Sequence, residues 1–350
     1  MKVGIMSMQR IINYGSFLQA FALSNIIKSL GHEVEFVDFK IEPCLPDPAP
    51  KMQAKDIEEK YRPYFFEIEN FEKKFANEFL KDLGITGRNE RPEVDTLVIG
   101  SDEVFNCLQD NSDVGYSLEL FGKDQKAKKL ITYAASCGET TLKRIQAYNK
   151  HEEIANLLNQ FHHISVRDTN SKHFVESLSQ IQPESHLDPV LVYDFSNDVR
   201  DTVNIEDYII VYAYPFNLTD EECDYIRKFA QEHGKKIVSI GSYQKCTDIF
   251  VPAHPLEVLP YFKKADFVIT NTFHGSIFST KAHTPFISFT RNYNGNKLTD
   301  LLDRLQLKNR LVTSLDYIEE KWEEPIDFSR TDAIICEEKE KSIDYLRSHI

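Results

Sequence analysis

Asp266-Phe-Val-Ile-Thr-Asn-Thr-Phe-His274-Gly-Ser-Ile-Phe278 carries an apolar strand into a polar turn and on into a helix. Phe267, Val268 and Ile269 read as a strand buried on both faces, as in a parallel sheet, while Gly275 and Ser276 open a helix bearing Ile277, Phe278 and Ala282. An α/β protein builds an anion pocket this way, because backbone N–H groups and the helix dipole at a helix start favour a phosphate or carboxylate. His274 lies in that turn, with Asn271, Thr272, Gly275 and Ser276 as its polar neighbours.

The same alternation extends outward. Tyr208–Tyr212 reads as a strand, Thr219 to Glu222 as a capping box for a helix ending near Gly234, and Lys236–Ile240 as the next strand. A helix over Leu256–Lys264 and a strand over Phe286–Phe289 flank the His274 segment. At the other end of the chain, strand Val3–Met6 meets the turn Asn13-Tyr-Gly15. A helix with Phe17, Leu18, Phe21, Ile26, Ile27 and Leu30 follows, capped by Gly31, and then strand Val34–Phe39. That is a βαβ unit, whose right-handed crossover implies a parallel sheet with ligand sites at the carboxyl ends of its strands.

Three more strands, Thr96–Ile99, Leu130–Ala134 and His163–Val166, end in Gly100-Ser-Asp102, Ala135-Ser-Cys137-Gly138 and Arg167-Asp168. Phe71, Phe75, Phe79 and Leu83 repeat at helical spacing and predict a packed helix. From Leu187-Asp-Pro189 to Asn204 the periodicity lapses, which predicts an interdomain linker. The expected fold class is therefore α/β, with two doubly wound, Rossmann-like domains over residues 1–195 and 196–350 facing a cleft. The charged run from Ser329 to Ile350 reads as a surface helix that packs back on the first domain.

Composition sets outer bounds. The chain has 350 residues, 41% of them hydrophobic, more than one typical core accommodates. A net charge of −14 argues against a nucleic-acid partner. The six cysteines are scattered without a CxxC pair, so neither a metal site nor a disulfide framework is expected. No apolar run approaches the ~20 residues of a membrane helix, and a cytoplasmic protein is expected. Walker A, GxGxxG, HExxH and GxSxG motifs are absent from the sequence.

The strand ends supply the chemistry. Arg167 offers a planar fork that either pairs with a structural acid or grips an anionic ligand. Asp102 and Glu103 suit hydrogen bonding to sugar hydroxyls or proton abstraction, or else Asp102 caps a turn. Asn13, Tyr14 and Ser16 form a turn into a helix, Ser101 precedes Asp102, and Arg291 and Lys297 follow the strand after His274.

Taken in order, Asn13-Tyr-Gly-Ser-Phe-Leu-Gln-Ala-Phe-Ala-Leu23, Val98-Ile-Gly-Ser-Asp102, Tyr133-Ala-Ala-Ser136, Ile164-Ser-Val-Arg167, Leu187-Asp-Pro189 and Thr270-Asn-Thr-Phe-His274-Gly resemble the polysaccharide pyruvyl transferase family. The resemblance spans Met1 to about Val312. It implies a GT-B-like pair of domains and transfer of a pyruvyl group from phosphoenolpyruvate, a co-substrate, to a sugar or lipid-linked oligosaccharide, with no further cofactor. Residues 1–195 then form the acceptor side, with Asn13, Tyr14, Ser16, Ser101, Asp102 and Glu103 as acceptor ligands. Residues 196–350 form the donor side, with Asn271, Thr272, His274, Gly275, Ser276 and Arg291, joined by Arg167 from the first domain. His274, Arg167 and Asp102 are the expected catalytic residues. Glu103, Phe105 and Asp168 stand where the family usually has Gln, Trp and Glu, and these departures are expected beside the cleft. A lipid-linked acceptor implies peripheral work at the inner membrane face. A nucleotide-sugar glycosyltransferase, or a noncatalytic glycan- or anion-binding protein, is the alternative on the same fold.

Overall fold

Val3, Ile5 and Met6 are each at most 1% exposed, so strand β1 (Lys2–Met6) is covered on both faces, as an inner strand of a parallel sheet must be. The computed structural model describes residues 1–290 and 295–350. One unit comprises Met1–Pro50, Leu80–Tyr193 and Ile335–Ile350, and a second comprises Lys51–Phe79 and Asp194–Ile334.

In the first unit β1 is joined by β2 (Glu33–Phe36), β3 (Thr96–Asp102), β4 (Lys129–Ala135), β5 (Ser165–Val166) and β6 (Glu184–Ser185). These form one parallel sheet in the order β2-β1-β3-β4-β5-β6. The chain leaves β1 for β2 on one side and returns to β3 on the other, so the switch point lies between β1 and β3. Phe105, Phe121, Ile131 and Leu158 are at most 2% exposed in this unit.

The second unit contains β7 (Tyr208–Tyr212), β8 (Lys236–Ile240), β9 (Ile249–Val251), β10 (Phe267–Thr270), β11 (Phe286–Phe289) and β12 (Leu311–Val312). The order β12-β11-β10-β7-β8-β9, parallel throughout, is the doubly wound dinucleotide-fold order with its switch point between β7 and β10. The expected α/β class with two doubly wound sheets is what the chain forms. The capping box at Thr219 is present, with Thr219 and Glu222 exchanging side-chain and backbone bonds at 3.2 and 2.8 Å.

Several expected boundaries shift. Lys51–Phe79 packs with the second unit rather than with its sequence neighbours. Tyr64 stacks on Tyr243 with centroids 4.0 Å apart, and Phe79 meets His254 at 4.4 Å. The expected helix forms over Arg62–Asn77 with Phe71 and Phe75, while Phe79 and Leu83 fall in a separate turn, Phe79–Leu83, and periodicity does not say which core takes the apolar face. The expected linker, residues 187–204, contains the division between the units at Tyr193/Asp194, but its first part is structured: a short helix, Pro189–Val192, is buried in the first unit beside helix Tyr14–Ser29.

Candidate functional site

Side chains from four segments meet at the switch point of the first unit. Asn13 caps helix Tyr14–Ser29, its Oδ1 accepting from the Gly15 N–H at 2.7 Å and the Ser16 N–H at 3.4 Å, which places Ser16 on the first turn. The Ser16 hydroxyl donates to Asp102 Oδ2 at 2.8 Å. Asp102 ends β3 with a φ of 78°, a left-handed conformation that turns its carboxylate at the sheet edge. Its other oxygen accepts from Arg167 Nη2 at 3.1 Å, while Arg167 Nη1 donates to Asp188 at 2.9 Å.

The Arg167 fork is thus engaged by two acids. Its side chain is 3% exposed and that of Asp188 0%, whereas Asp102 retains 12%. Burial opposes the guanidinium charge, but Asp102 and Asp188, followed by Glu103 and Asp168, outweigh it and raise the Arg167 pKa. The Arg167 cation therefore stands among four carboxylates. Of the two roles open to Arg167, pairing with structural acids is the one this geometry displays, and Asp102 is the member that solvent reaches most.

The neighbouring candidates divide. Tyr14 is buried, 3% exposed, beneath the turn. Ser101 is fully buried and its hydroxyl donates to the Ala134 carbonyl at 2.9 Å, so it braces the sheet. Glu103 is partly exposed and accepts from Asn106 at 2.8 Å. Phe105, expected beside the cleft, is instead a core residue at 0% exposure, stacked on Phe121 at 4.9 Å. Asp168 caps helix Thr169–Leu178, accepting from the Ser171 N–H at 2.8 Å and from the Ser136 hydroxyl at 2.6 Å.

At the switch point of the second unit, the loops after β7 and β10 are tied by Asn271 Nδ2 donating to Asn217 Oδ1 at 2.8 Å. Helix Phe273–Ala282 begins two residues earlier than the glycine suggested, because Thr272 is its cap and accepts from the Gly275 N–H at 2.9 Å. Gly275 has a steric reason to be glycine: a Cβ there would lie 2.1 Å from Thr270 Oγ1 and 2.8 Å from Thr272 Oγ1. Asn271 and Ser276 are fully buried, and the Ser276 hydroxyl is engaged with Thr272 O at 3.2 Å and Ser288 Oγ at 2.9 Å. His274, partly exposed in the first turn of the helix, has the rings of Phe273 and Phe278 at 5.4 and 5.9 Å. Arg291 lies outside the described residues, and Lys297 is in the first turn of helix Gly295–Arg304.

Asp188, Ser7, Gln19 and Asn217 escaped the sequence reading as site residues. Ser7 donates to Ser101 O at 2.8 Å and receives Gln19 Nε2 at 2.9 Å, bridging β1 to β3 across the switch point. Asp188 carried a signal: an acid before Pro189 is a helix start, and its Oδ1 accepts from the Val190 N–H at 3.0 Å. Among the described residues no group of three or more His, Cys, Asp or Glu side chains is placed to hold a metal ion.

Two switch-point sites on two parallel α/β sheets define a GT-B-like two-domain class. A family model described as polysaccharide pyruvyl transferase matches residues 13–293, and the chain belongs to that family. Among solved structures, the glycotransferase of kitacinnamycin is similar over 99% of this chain and 98% of its own, at 10% identity and a TM-score of 0.51, a likeness of fold alone. The UDP-GlcNAc 2-epimerase of Methanocaldococcus jannaschii matches 96% of this chain and 99% of its own at 11% identity and a TM-score of 0.49. An O-GlcNAc transferase mutant of Thermobaculum terrenum matches 99% of this chain at 11% identity and a TM-score of 0.44, and the chain spans 64% of its length. No curated protein matches the chain.

Proposed function

We propose that the protein transfers a pyruvyl group from phosphoenolpyruvate to a pair of hydroxyls on a sugar or lipid-linked oligosaccharide, forming a pyruvate ketal in surface polysaccharide biosynthesis. The observation that carries this reading is the capped turn Thr270–Gly275, in a chain of the pyruvyl transferase family, where His274 is a partly exposed titratable side chain at a helix start.

Phosphoenolpyruvate brings a carboxylate and a phosphate. The helix terminus at His274 supplies positive potential for the phosphate, and the imidazole serves as its ligand or as the acid that protonates the methylene carbon. Protonation leaves an oxocarbenium-like centre at C2, which the first sugar hydroxyl attacks with loss of its proton. The second hydroxyl then closes the ring as inorganic phosphate departs, so one phosphoenolpyruvate and one diol give one ketal and one phosphate.

Asp102 is the acceptor-side base or hydroxyl ligand, oriented by Ser16 and Arg167, and Asn13 fixes the turn that presents Ser16. Arg167 acts through Asp102 in this scheme. A lipid-linked acceptor would bring the protein to the inner membrane surface. Among the described residues no helix is long and apolar enough to cross a membrane.

A screen of glycan acceptors with phosphoenolpyruvate, read by mass spectrometry and phosphate release, tests the reaction. A pyruvyl gain lost in His274→Ala is the expected result. Thermal stabilisation by nucleoside diphosphates, with indifference to phosphoenolpyruvate, would overturn it in favour of a nucleotide-sugar transferase.

A further inference from the structure

The first unit also contains a cavity of about 570 Å³ lined by Arg10, Lys28, Lys81 and Arg88 together with Glu35, Asp38, Asp82 and the loop from Gly84 to Asn89. Four cationic side chains against three carboxylates reverse, locally, the sign of a chain whose net charge is −14. Two of those carboxylates are already matched. Asp38, 5% exposed, holds the Arg10 guanidinium at both oxygens, with Nη2 at 2.8 Å, and accepts from the Asn89 N–H at 2.7 Å. Glu35 pairs with Lys2 at 2.7 Å.

Arg10 also donates to the Gly87 carbonyl, and Asn89 Nδ2 to the Phe36 carbonyl at 2.8 Å, so the loop is pinned around the cavity from both sides. Lys28, in the last turn of helix Tyr14–Ser29, and Lys81, in the short turn Phe79–Leu83, enter no ion pair among the described residues. Arg88 holds the half-exposed Glu90 at 2.9 Å, a pair weak enough for a ligand anion to displace.

Lys28 from the last turn of helix Tyr14–Ser29, Val34, Glu35 and Phe36 of β2, and Arg10 and Asp38 after β1 and β2 share this lining, so the cavity runs along the outer side of the edge strand β2. We propose that this cavity binds an anionic sugar, a pyranose carrying a phosphate or a carboxylate. Lys28, Lys81 and Arg88 take the anion, and Asn89, Glu35 and the loop backbone take hydroxyls. That the sugar belongs to the acceptor glycan rests on the pyruvyl-transfer reading; that the cavity binds it does not.

Titration calorimetry with glucose 1-phosphate, glucuronic acid, glucose and inorganic phosphate tests the assignment on the wild-type protein, Lys28→Glu/Lys81→Glu, Arg88→Gln and His274→Ala. At least one charged sugar should bind at least tenfold more tightly than glucose and than inorganic phosphate. Glucose 1-phosphate alone identifies the phosphate class, and glucuronic acid alone the carboxylate class. Charge reversal should weaken that binding at least tenfold with an unchanged melting temperature, Arg88→Gln should weaken it less, and His274→Ala should retain it. Equal binding of glucose or of bare phosphate, indifference to the charge reversal, or loss in His274→Ala would overturn the proposal. A protein that binds the charged sugar yet fails to turn over phosphoenolpyruvate would refute the reaction and leave this site standing.

Discussion

Arg167 is gripped by Asp102 and Asp188 at 3.1 and 2.9 Å, which makes those acids its first partners and any substrate anion a competitor. Removing one member of a buried charge pair leaves the other uncompensated, at a cost of roughly 3 kcal/mol or more. Asp188→Asn should therefore lower the unfolding free energy by about 3 kcal/mol in a urea titration. The side-chain cap on Val190 is conserved in that variant, because Asn caps helices as well as Asp does. Arg167→Lys keeps the charge but gives up the fork, and one ammonium cannot reproduce its geometry with both acids. It should lose stability as well as transfer activity, and a variant that kept the wild-type urea midpoint would contradict the paired role. Gly275→Ala is the steric counterpart in the second unit. A methyl group 2.1 Å from Thr270 Oγ1 forces the helix start to move, so stability should fall by about 1–3 kcal/mol and activity with it.

At the scale of elements, strands Tyr208–Tyr212, Lys236–Ile240 and Phe286–Phe289 fall where the sequence predicts them, because continuous apolar runs bounded by polar turns are hard to misread. Strands β6 and β12 have two residues each and β9 three, too short for any period to show. The site was legible as strand ends carrying polar residues, but which hydroxyls face a ligand and which brace the sheet depends on partners distant in sequence. Ser101 with Ala134 and Ser276 with Ser288 are such cases. The end of helix Ser329–His349 shows the same limit: a run rich in Lys and Glu reads as a surface helix, yet Tyr345 and Leu346 are 4% and 0% exposed. There His349 stacks on His163 with centroids 3.6 Å apart and lies 3.9 Å from Glu184. Burial, then the nearby His349, Lys129 and His162, lower the His163 pKa. Above the unfolded value of about 6.5 both states are neutral and the contribution is complete; as pH falls through that value toward the folded one, the unfolded chain binds the proton first and stability is lost. Hydrogen-exchange protection factors at residues 345–350, which are corrected for the intrinsic rate, should therefore fall between about pH 7.5 and about pH 5.5. His163→Gln should flatten that dependence, and an identical pH response in this variant would exclude His163 as its source.

For the whole molecule, the order of the chain and the membership of its two units do not coincide. The first unit takes Met1–Pro50 and Leu80–Tyr193, then recovers Ile335–Ile350 from the far end. Those last residues complete its packing: the Tyr345 hydroxyl donates to the Thr132 carbonyl at 2.9 Å, Leu346 is fully buried, and Ile350 is 8% exposed. Burying a large apolar side chain stabilises by roughly 1.5–3 kcal/mol, so losing these three removes several kcal/mol, a large part of what holds a domain folded. The second unit keeps its own core, in which Ile209, Phe267 and Ile287 are at most 0% exposed and Phe229 1%. A chain ending at Ile334 should therefore melt in two calorimetric transitions, the first unit unfolding well below its full-length midpoint. Amides of β7 and β10 should retain their protection from hydrogen exchange while those of β3 and β4 lose theirs. A single transition at the full-length temperature would mean that the C-terminal helix lies on the first unit without supporting it. Loss of protection in all four strands together would mean that the two cores fold as one cooperative body, so that a destabilising change in either unit disables both switch-point sites.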